Sequence, residues 1–555
     1  MTKNILTSWQ RLIGLLKLDR KDIKQVFYYA IFAGLVNLSL PLGIQAIINL
    51  IQGAQISTSW IVLVILVTLG VAFVGLLQLM QMRIIENVQQ KIFTRSSFEF
   101  AYRFPKIKMS ELRYYYPPEL ANRFFDTLTV QKGLSKILVD FPSALLQIIF
   151  GLLLLSFYHP FFIIYGILLI LLIYVVFKFS AQRGLDTSLD ESKQKYKVAH
   201  WLQEVARSIL SFKLSGRTSL ALTKNDNLVS EYLDARESHF KVLIHQFLKL
   251  IGFKILVTAG LLIIGGFLVL EQQMNIGQFV AAEIIILLVI SSVEKLILGL
   301  ESFYDVLTSI EKLGQVVDKA LESQEGDAVC TEDKPIKIEL DKVSYIVPEK
   351  TNPILEDISL IIEPKDRILI YGSHGSGKSS LLKLISGINT PTKGGVYIND
   401  ISLSGIKINE YRALVGQSLP EESPFEGSIR DNLTFGDLSI TDDEINSVLK
   451  KTMLIDFVKS QPNGLQTILY PEGQRLSTTV SKKIVLARSI LKKPKLLLLK
   501  DPLDQFDKHE TKSIMKFLTD KSNPWSLVVV SYNMDWKTNC TRIINLEKGK
   551  LVLNR

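Results

Sequence analysis

The sequence predicts two fold classes in one chain: an α-helical membrane domain of six spans, followed by a soluble α/β domain. The first part is predicted by composition, because 48% of the 555 residues are hydrophobic and only 21% are charged. This balance excludes a disordered protein and is too apolar for an ordinary soluble chain. The second part is predicted by a change of pattern after about residue 336, where short β-type runs alternate with helical segments.

Six apolar runs predict the membrane helices, since each is close to the ~20 residues that a helix needs to cross a bilayer. The runs occupy residues 25–50, 59–81, 137–157, 160–180, 250–270 and 277–299. Residues 190–214 place apolar side chains at helical spacing among charged ones. We therefore expect the membrane helices to continue beyond the bilayer as amphipathic extensions.

The distribution of Lys and Arg predicts which side of the membrane each loop faces. The long loops 82–136 and 181–249 are rich in Lys and Arg, whereas the short connections contain neither. The positive-inside rule places both loops and both termini in the cytoplasm. The net charge of +10 then needs no nucleic-acid partner to explain it, and the expected partner is the lipid bilayer. Cys330 and Cys540 have no CxxC or His companion, which excludes a disulfide framework or a zinc site.

Four regions are expected along the chain. Residues 1–24 form an N-terminal cytoplasmic segment, and 25–320 form the membrane domain with its long helical loops. The stretch 321–335 is polar and ends in Pro, which is typical of a linker. Residues 336–555 form the α/β domain.

A glycine-rich loop follows the strand-like run 367–372 and leads into a helical segment. The loop fits G-x-x-x-x-G-K-[ST] and consists of Gly372, Ser373, His374, Gly375, Ser376, Gly377, Lys378 and Ser379. In such a loop the backbone amides surround phosphates, the Lys378 ammonium faces the β and γ phosphates, and the Ser379 hydroxyl can ligate Mg²⁺. The pattern predicts a P-loop nucleotide-binding domain, with Ser380 beside the loop and His374 as a solvated loop residue.

Together with the six spans, these motifs resemble an ABC exporter half-transporter over essentially the whole chain. Gln417 matches the Q-loop, and an F-x-G-[ST]-I-R-[DE]-N run follows it. Residues 117–126 look like the first cytoplasmic coupling region, and 274–297 look like the sixth helix of exporters related to type I secretion. The resemblance implies a dimer in a bacterial inner membrane, with a cytoplasmic ATP-binding domain, that exports a peptide, protein or lipid.

The same resemblance shows where this chain departs from the family. When 476–480 is laid on the signature LSGGQ, Lys500 falls on the Walker B Asp and Asp501 on the catalytic Glu. Two threonines replace the signature glycines, so only Ser477 remains as a phosphate ligand. Tyr532 takes the position of the switch His. Asp501 and Tyr532 are therefore weak candidates for catalysis.

Two further cofactor contacts are altered. Val347 occupies the position of the adenine-stacking aromatic, and Tyr345 lies two residues away. Lys500 cannot coordinate a metal while protonated, which leaves Ser379 and Gln417 as ligands of a weakly bound Mg²⁺. An alternative register, shifted by one residue, makes Asp501 the metal ligand and puts Pro502 in the catalytic position. Both registers remove the catalytic Glu.

Two functions follow from this pattern and remain open. The first is an ATP-binding exporter subunit with slow or lost hydrolysis. It would pair as a homodimer, or as a heterodimer with another ABC half-transporter, and work with a periplasmic membrane-fusion adaptor. The second is a non-pumping, ATP-responsive gate or scaffold in a membrane complex.

Ionisable residues inside the apolar runs are candidates for a transport pathway, because a charge in lipid is costly without a partner. Glu283 lies well inside the sixth run. A pathway role and a structural hydrogen bond between helices are equally open for it. Lys178, Lys249 and Lys254 lie near helix ends, where long basic side chains are expected to reach the interface or to belong to the cytoplasmic extensions.

Overall fold

The structure is a computed structural model that describes residues 7–52, 58–178, 181–326, 335–347 and 352–552. It divides into two compact units. The first unit is Met1–Lys106 with Tyr114–Lys319, and the second is Ile107–Arg113 with Ala320–Arg555. A short segment from the first half of the chain, Ile107–Arg113, thus belongs to the second unit.

Helices make up the described part of the chain up to residue 317. They are α1 (Ser8–Leu18), α2 (Arg20–Asn37), α3 (Ser39–Gln52), α4 (Thr58–Arg103), α5 (Met109–Leu112), α6 (Pro117–Asn122), α7 (Asp126–Ser156), α8 (Pro160–Lys178), α9 (Ala181–Arg207), α10 (Ile209–Leu214), α11 (Leu220–Leu270) and α12 (Ile276–Val317). Several are far longer than an apolar span, which confirms that the membrane helices continue beyond their apolar runs.

Five stretches are long and apolar enough to cross a membrane, judged over the described residues. They are Arg20–Gln52, Thr58–Lys106, Pro117–Ser156, Leu220–Leu270 and Ile276–Val317. The remaining predicted span, 160–180, coincides with α8, whose stretch Pro160–Tyr174 is also apolar but shorter. Over the described residues, five of the six apolar runs therefore follow one helix each, whereas the run 25–50 spans α2 and α3, which are separated at Leu38.

The first unit is held together mainly along α7 and α12. A buried cluster joins Ile148 and Leu152 of α7 to Ile285 and Val289 of α12. Gly133 lets the two helices approach closely, because a Cβ there would lie 2.3 Å from a methyl carbon of Val306. Close van der Waals packing of these apolar faces against each other fixes the arrangement of the helices within the membrane.

An ion pair links α11 and α12. The Lys254 ammonium lies 2.9 Å from a Glu294 carboxylate oxygen. Lys254, expected to reach the interface or to belong to a cytoplasmic extension, thus has a partner on the next helix. The side chain of Lys178 lies outside the described residues. Glu283 is partly buried on α12, and no described side chain bonds to it.

The described residues of the second unit form three sheets. Its strands are β1 (Ile338–Tyr345), β2 (Leu355–Ile362), β3 (Arg367–Tyr371), β4 (Lys393–Ile398), β5 (Ile401–Ser402), β6 (Val415–Ser418), β7 (Gly427–Ser428), β8 (Ile468–Leu469), β9 (Leu496–Lys500), β10 (Ser526–Val530), β11 (Arg542–Glu547) and β12 (Lys550–Val552). The central sheet has the order β12-β11-β3-β10-β9-β6 and is parallel except for β12. The others have the orders β2-β1-β4-β5 and β7-β8.

Seven helices of the described chain accompany these sheets. They are α13 (Lys378–Ile385), α14 (Ile408–Ala413), α15 (Ile429–Thr434), α16 (Asp442–Lys451), α17 (Ile455–Ser460), α18 (Thr478–Leu491) and α19 (Lys508–Thr519). Apolar residues of the parallel strands, such as Ile370, Leu498 and Val528, are fully buried. Strands covered on both faces read as continuous apolar runs, which is why they were predictable.

The start of the predicted linker is structured. Leu321 forms a β-bridge with Ile107, and Glu322 accepts a 2.9 Å hydrogen bond from Arg412. Residues 321–326 thus pack within the second unit, whereas 327–334 lie outside the described residues.

Candidate nucleotide-binding site

The phosphate loop lies between β3 and α13. Gly375 and Gly377 have φ angles of 77° and 99°, which favour glycine. Gly372 is required by close approach, because a Cβ there would lie 2.0 Å from the Leu546 carbonyl oxygen. The loop ends at the first turn of α13, where free backbone N–H groups attract anions.

Lys378 is buried at the centre of the loop. Its ammonium donates hydrogen bonds to the carbonyls of Gly372 at 2.9 Å and Ser373 at 2.7 Å, and to Ser376 Oγ at 3.3 Å. It also donates to the Tyr532 hydroxyl at 3.1 Å. Oxygen atoms of the loop therefore hold the Lys378 ammonium in place. A bound phosphate would have to take over some of these hydrogen bonds.

Tyr532 follows β10 and reaches the loop from the neighbouring strand. Its ring lies 4.8 Å from the Lys378 ammonium and packs against the His374 ring, with centroids 4.7 Å apart. His374 is exposed in the loop, which confirms the expectation of a solvated loop residue, and it also makes this aromatic contact. The two residues cover the loop beside Lys378.

Lys500 is the last residue of β9, and it contacts the loop directly. Its Nζ donates a 2.7 Å hydrogen bond to Ser379 Oγ. The parallel register pairs Lys500 with Val530 and Val530 with Ile370, so the ends of β9, β10 and β3 meet at one edge of the sheet. Such an edge is where α/β sheets bind ligands.

Asp501 lies one residue further on and is constrained by its backbone. It has a φ of 43°, and its N–H donates to the Val530 carbonyl at 2.8 Å. Its Oδ1 is buried and accepts no hydrogen bond from the described residues. Burial raises the pKa of this carboxyl above its ordinary value, the Asp504 carboxylate adds to the rise, and Lys500 opposes it.

The residues present do not suit Mg²⁺, which prefers oxygen ligands and usually a carboxylate. The described residues contain no group of three or more His, Cys, Asp or Glu side chains that could hold a metal ion. Lys500 already uses the Ser379 oxygen, and the Gln417 side chain on β6 forms no hydrogen bond with Ser379 in the described structure. Two unit charges 4 Å apart interact by about 4 kcal/mol near a protein surface. A divalent ion beside Lys500 would meet roughly twice that repulsion.

A cavity of about 910 Å³ adjoins the loop within the second unit. Tyr345, Val347, Ser379 and Ser380 line it, so it joins the expected adenine position to the phosphate loop. The Tyr345 ring is largely buried, and its hydroxyl accepts a 3.2 Å hydrogen bond from Arg113. Sequence reasoning missed Arg113, because nothing local marks a residue between two membrane spans as part of this cavity.

The signature segment is separate from the loop of its own chain. Ser477 caps α18, with its hydroxyl accepting a 3.3 Å hydrogen bond from the Val480 N–H. Thr479 donates to the Gln505 carbonyl at 3.3 Å. Ser477 makes no hydrogen bond with residues 372–379 in the described structure. The structure thus brings Lys378, Ser379, Lys500 and Tyr532 together and leaves Ser477 apart.

Two family models match the chain one after the other. The model described as ABC transporter transmembrane region matches residues 26–293, and the model described as ABC transporter matches residues 355–504. The chain belongs to the ABC transporter family. It has the exporter arrangement, a helical transmembrane domain followed by an ATP-binding domain, which confirms the predicted fold class and the resemblance.

Individual relatives agree with this assignment. An export ATP-binding/permease protein of Rickettsia bellii is 24% identical over 75% of this ABC transporter chain and 73% of its own length. The toxin RTX-I translocation ATP-binding protein of Actinobacillus pleuropneumoniae is 28% identical over 52% of the chain, which spans only 41% of that relative. A solved bacterial Atm1-family ABC exporter with ATP bound has the same fold, with a TM-score of 0.86 over 96% of this chain and 94% of that one, at 15% identity.

Proposed function

We propose that this chain is one subunit of a dimeric ABC exporter whose ATP-binding domain binds ATP and hydrolyses it very slowly. The proposal rests on one observation, the 2.7 Å hydrogen bond from Lys500 to Ser379 beside a complete phosphate loop. The loop supplies the backbone amides and the Lys378 ammonium that phosphate binding needs. The facing strand end carries an ammonium where hydrolysis in the family uses a carboxylate, and Asp501 is one methylene shorter than Glu.

The dimer follows from how ABC sites are built in the family, where the Walker motifs of one subunit face the signature of the other. Here one chain has both an altered Walker B strand and an altered signature. A homodimer would have two equally altered sites, and a heterodimer with a complete half-transporter would have both sites affected. The measured mass of the purified protein, with and without such a partner, distinguishes the two assemblies.

The primary test measures ATP affinity and phosphate release on the same purified full-length dimer. We expect ATP to bind and phosphate release to remain close to the background of a Lys378→Ala control. Rapid, Mg²⁺-dependent release that disappears in this control would contradict slow turnover. Absence of ATP binding at millimolar concentration would contradict the proposal as a whole.

The proposed location is a bacterial inner membrane, with residues 336–555 and the loops 82–136 and 181–249 on the cytoplasmic side. The exposed turn between α10 and α11 offers trypsin a site at Arg217. Trypsin should cut there in inside-out vesicles and spare it in right-side-out vesicles, and Arg217→Gln should remove that fragment. Cleavage only from the opposite side would overturn this topology.

The substrate class we propose is a peptide, protein or lipid, delivered through a periplasmic membrane-fusion adaptor. Two kinds of relative support this range, a toxin translocation protein and a lipid A-core flippase. Glu283 is proposed to line the pathway. Glu283→Gln should then reduce transport without lowering the melting temperature, whereas a structural role would lower both.

The second candidate is a non-pumping gate or scaffold that responds to ATP. The contact between Lys500 and Ser379 favours it, because closure on nucleotide needs no turnover. Transport by sealed vesicles decides between the two functions: ATP-driven accumulation supports the exporter. An ATP-dependent change in protease protection without accumulation supports the gate.

A further inference from the structure

Two lysine ammonium groups converge on the phosphate loop. Lys378 binds the loop carbonyls from within, and Lys500 reaches the Ser379 hydroxyl from the end of β9. Both side chains are anchored by hydrogen bonds of 2.7 to 2.9 Å to loop atoms. The loop is therefore flanked by two positive charges before any ligand arrives.

We propose that this site binds a nucleoside triphosphate without a divalent cation, because the Lys500 ammonium takes the place of the metal. The inference rests on the ATP binding proposed above and specifies the form of the ligand. That form is the free, metal-free triphosphate.

The geometry supports this substitution at Ser379. A hydroxyl that ligates a metal gives the metal a lone pair, and here that oxygen accepts a hydrogen bond from the Lys500 ammonium. An ammonium has three N–H donors, so two remain for phosphate oxygen atoms once Ser379 has taken one. A metal at this oxygen would have to displace the ammonium, which is held there by the 2.7 Å hydrogen bond.

The surrounding carboxylates of Glu421 and Asp501 offset the charge of Lys500 only in part. In the described part of the chain no carboxylate lies within ion-pairing distance of its Nζ. The nearby Glu421 is paired with Lys383 at 2.7 Å. Asp501 lowers the local positive charge, but its Oδ1 is buried and bonds to no described residue. Lys378 and Lys500 thus keep charge available for the triphosphate.

The first experiment measures the dissociation constant of ATP on the full-length dimer in EDTA and in excess Mg²⁺. For the wild type we expect values within about threefold of each other, since Lys500 replaces one charge-assisted contact. For Lys500→Asp we expect binding to become about tenfold or more weaker in EDTA than in Mg²⁺. Wild-type binding that needs Mg²⁺ to that extent would overturn the inference.

Two neutral variants separate charge from folding. Lys500→Met should weaken ATP binding in EDTA, whereas Lys495→Met removes a charge at the opposite end of the same strand, about 16 Å away, and should not. Equal effects of both variants would overturn the inference. Absence of wild-type binding in both EDTA and Mg²⁺ would instead refute the proposed ATP binding itself.

A spectroscopic measurement tests the metal directly. Mn²⁺ added with ATP should give no protein-bound signal in electron paramagnetic resonance of the wild type, although ATP is bound. Lys500→Asp should produce that signal. A bound Mn²⁺ signal in the wild type, at a stoichiometry near that of ATP, would contradict the replacement of the metal by Lys500.

Discussion

The phosphate loop and the strand ends that face it lie at the same edge of one sheet, yet they bring different chemical groups to it. Gly377, Lys378 and Ser379 form a loop whose backbone and side chains suit phosphate. Opposite them, Lys500 brings an ammonium to the Ser379 hydroxyl, and Tyr532 brings a phenol to the Lys378 ammonium. The difference shows that the groups suited to phosphate and the groups that face them come from separate segments, so the proposed ATP binding and the proposed slow turnover can be tested separately.

The largest effect should come from the loop itself. Lys378→Ala removes the ammonium that bonds to Gly372, Ser373, Ser376 and Tyr532, so ATP binding should fall by about a hundredfold or more. Calorimetric titration measures this loss. The control Lys512→Met removes an exposed charge on α19 and should leave the affinity unchanged. If Lys378→Ala bound ATP as tightly as the wild type, the phosphate loop would not be the segment that binds ATP.

Restoring the facing strand ends should have the next largest effect. Each transition-state contact is typically worth ~10² to 10³ in rate, and such contributions are not additive. Lys500→Asp alone should therefore raise phosphate release little. Lys500→Asp with Asp501→Glu and Tyr532→His should raise it about tenfold or more above the wild type. The control carries Lys378→Ala as well, and release that persists there comes from a contaminating enzyme.

A smaller effect is expected at Tyr532. Tyr532→Phe keeps the ring against His374 but removes the hydroxyl that accepts from Lys378. This hydrogen bond has a charged donor and is worth ~1 kcal/mol or more, so freeing Lys378 should tighten ATP binding by about fivefold. Titration of Tyr532→Phe and Tyr532→Leu side by side separates the hydroxyl from the ring. Weaker binding in Tyr532→Phe would show that the hydroxyl assists the ligand.

The smallest effect on turnover is expected in the signature. Thr479→Gly removes a hydrogen bond to Gln505 and places glycine in the first turn of α18, at a cost of about 1 kcal/mol in stability. Phosphate release of the otherwise unchanged protein should shift by less than about twofold, because the facing strand ends limit it. Thermal melting and phosphate release measure the two effects. A large increase in phosphate release from Thr479→Gly alone would show that the signature segment, and not the facing strand ends, limits the rate.

Local patterns in the sequence were sufficient for much of the fold. The apolar runs lie on helices, and the runs 367–372, 496–499 and 526–532 contain β3, β9 and β10. They succeed because a helix or buried strand is selected by the spacing of its own residues. The alignment that put Lys500 beside the loop rests on equally short-range spacing, and the hydrogen bond to Ser379 supports it.

The pairings between segments that are distant in sequence were decided only by the tertiary structure. Arg113 reaches Tyr345 across 232 positions, Lys254 finds Glu294, and Tyr532 reaches Lys378 across 154 positions. Residues 321–326 pack although their composition is that of a linker. The spacing within a segment determines its secondary structure, but the partner of a charged or polar side chain depends on which segments meet in space. The sequence by itself therefore determined the elements and the loop, and the packing of the sheet and helices determined what faces them.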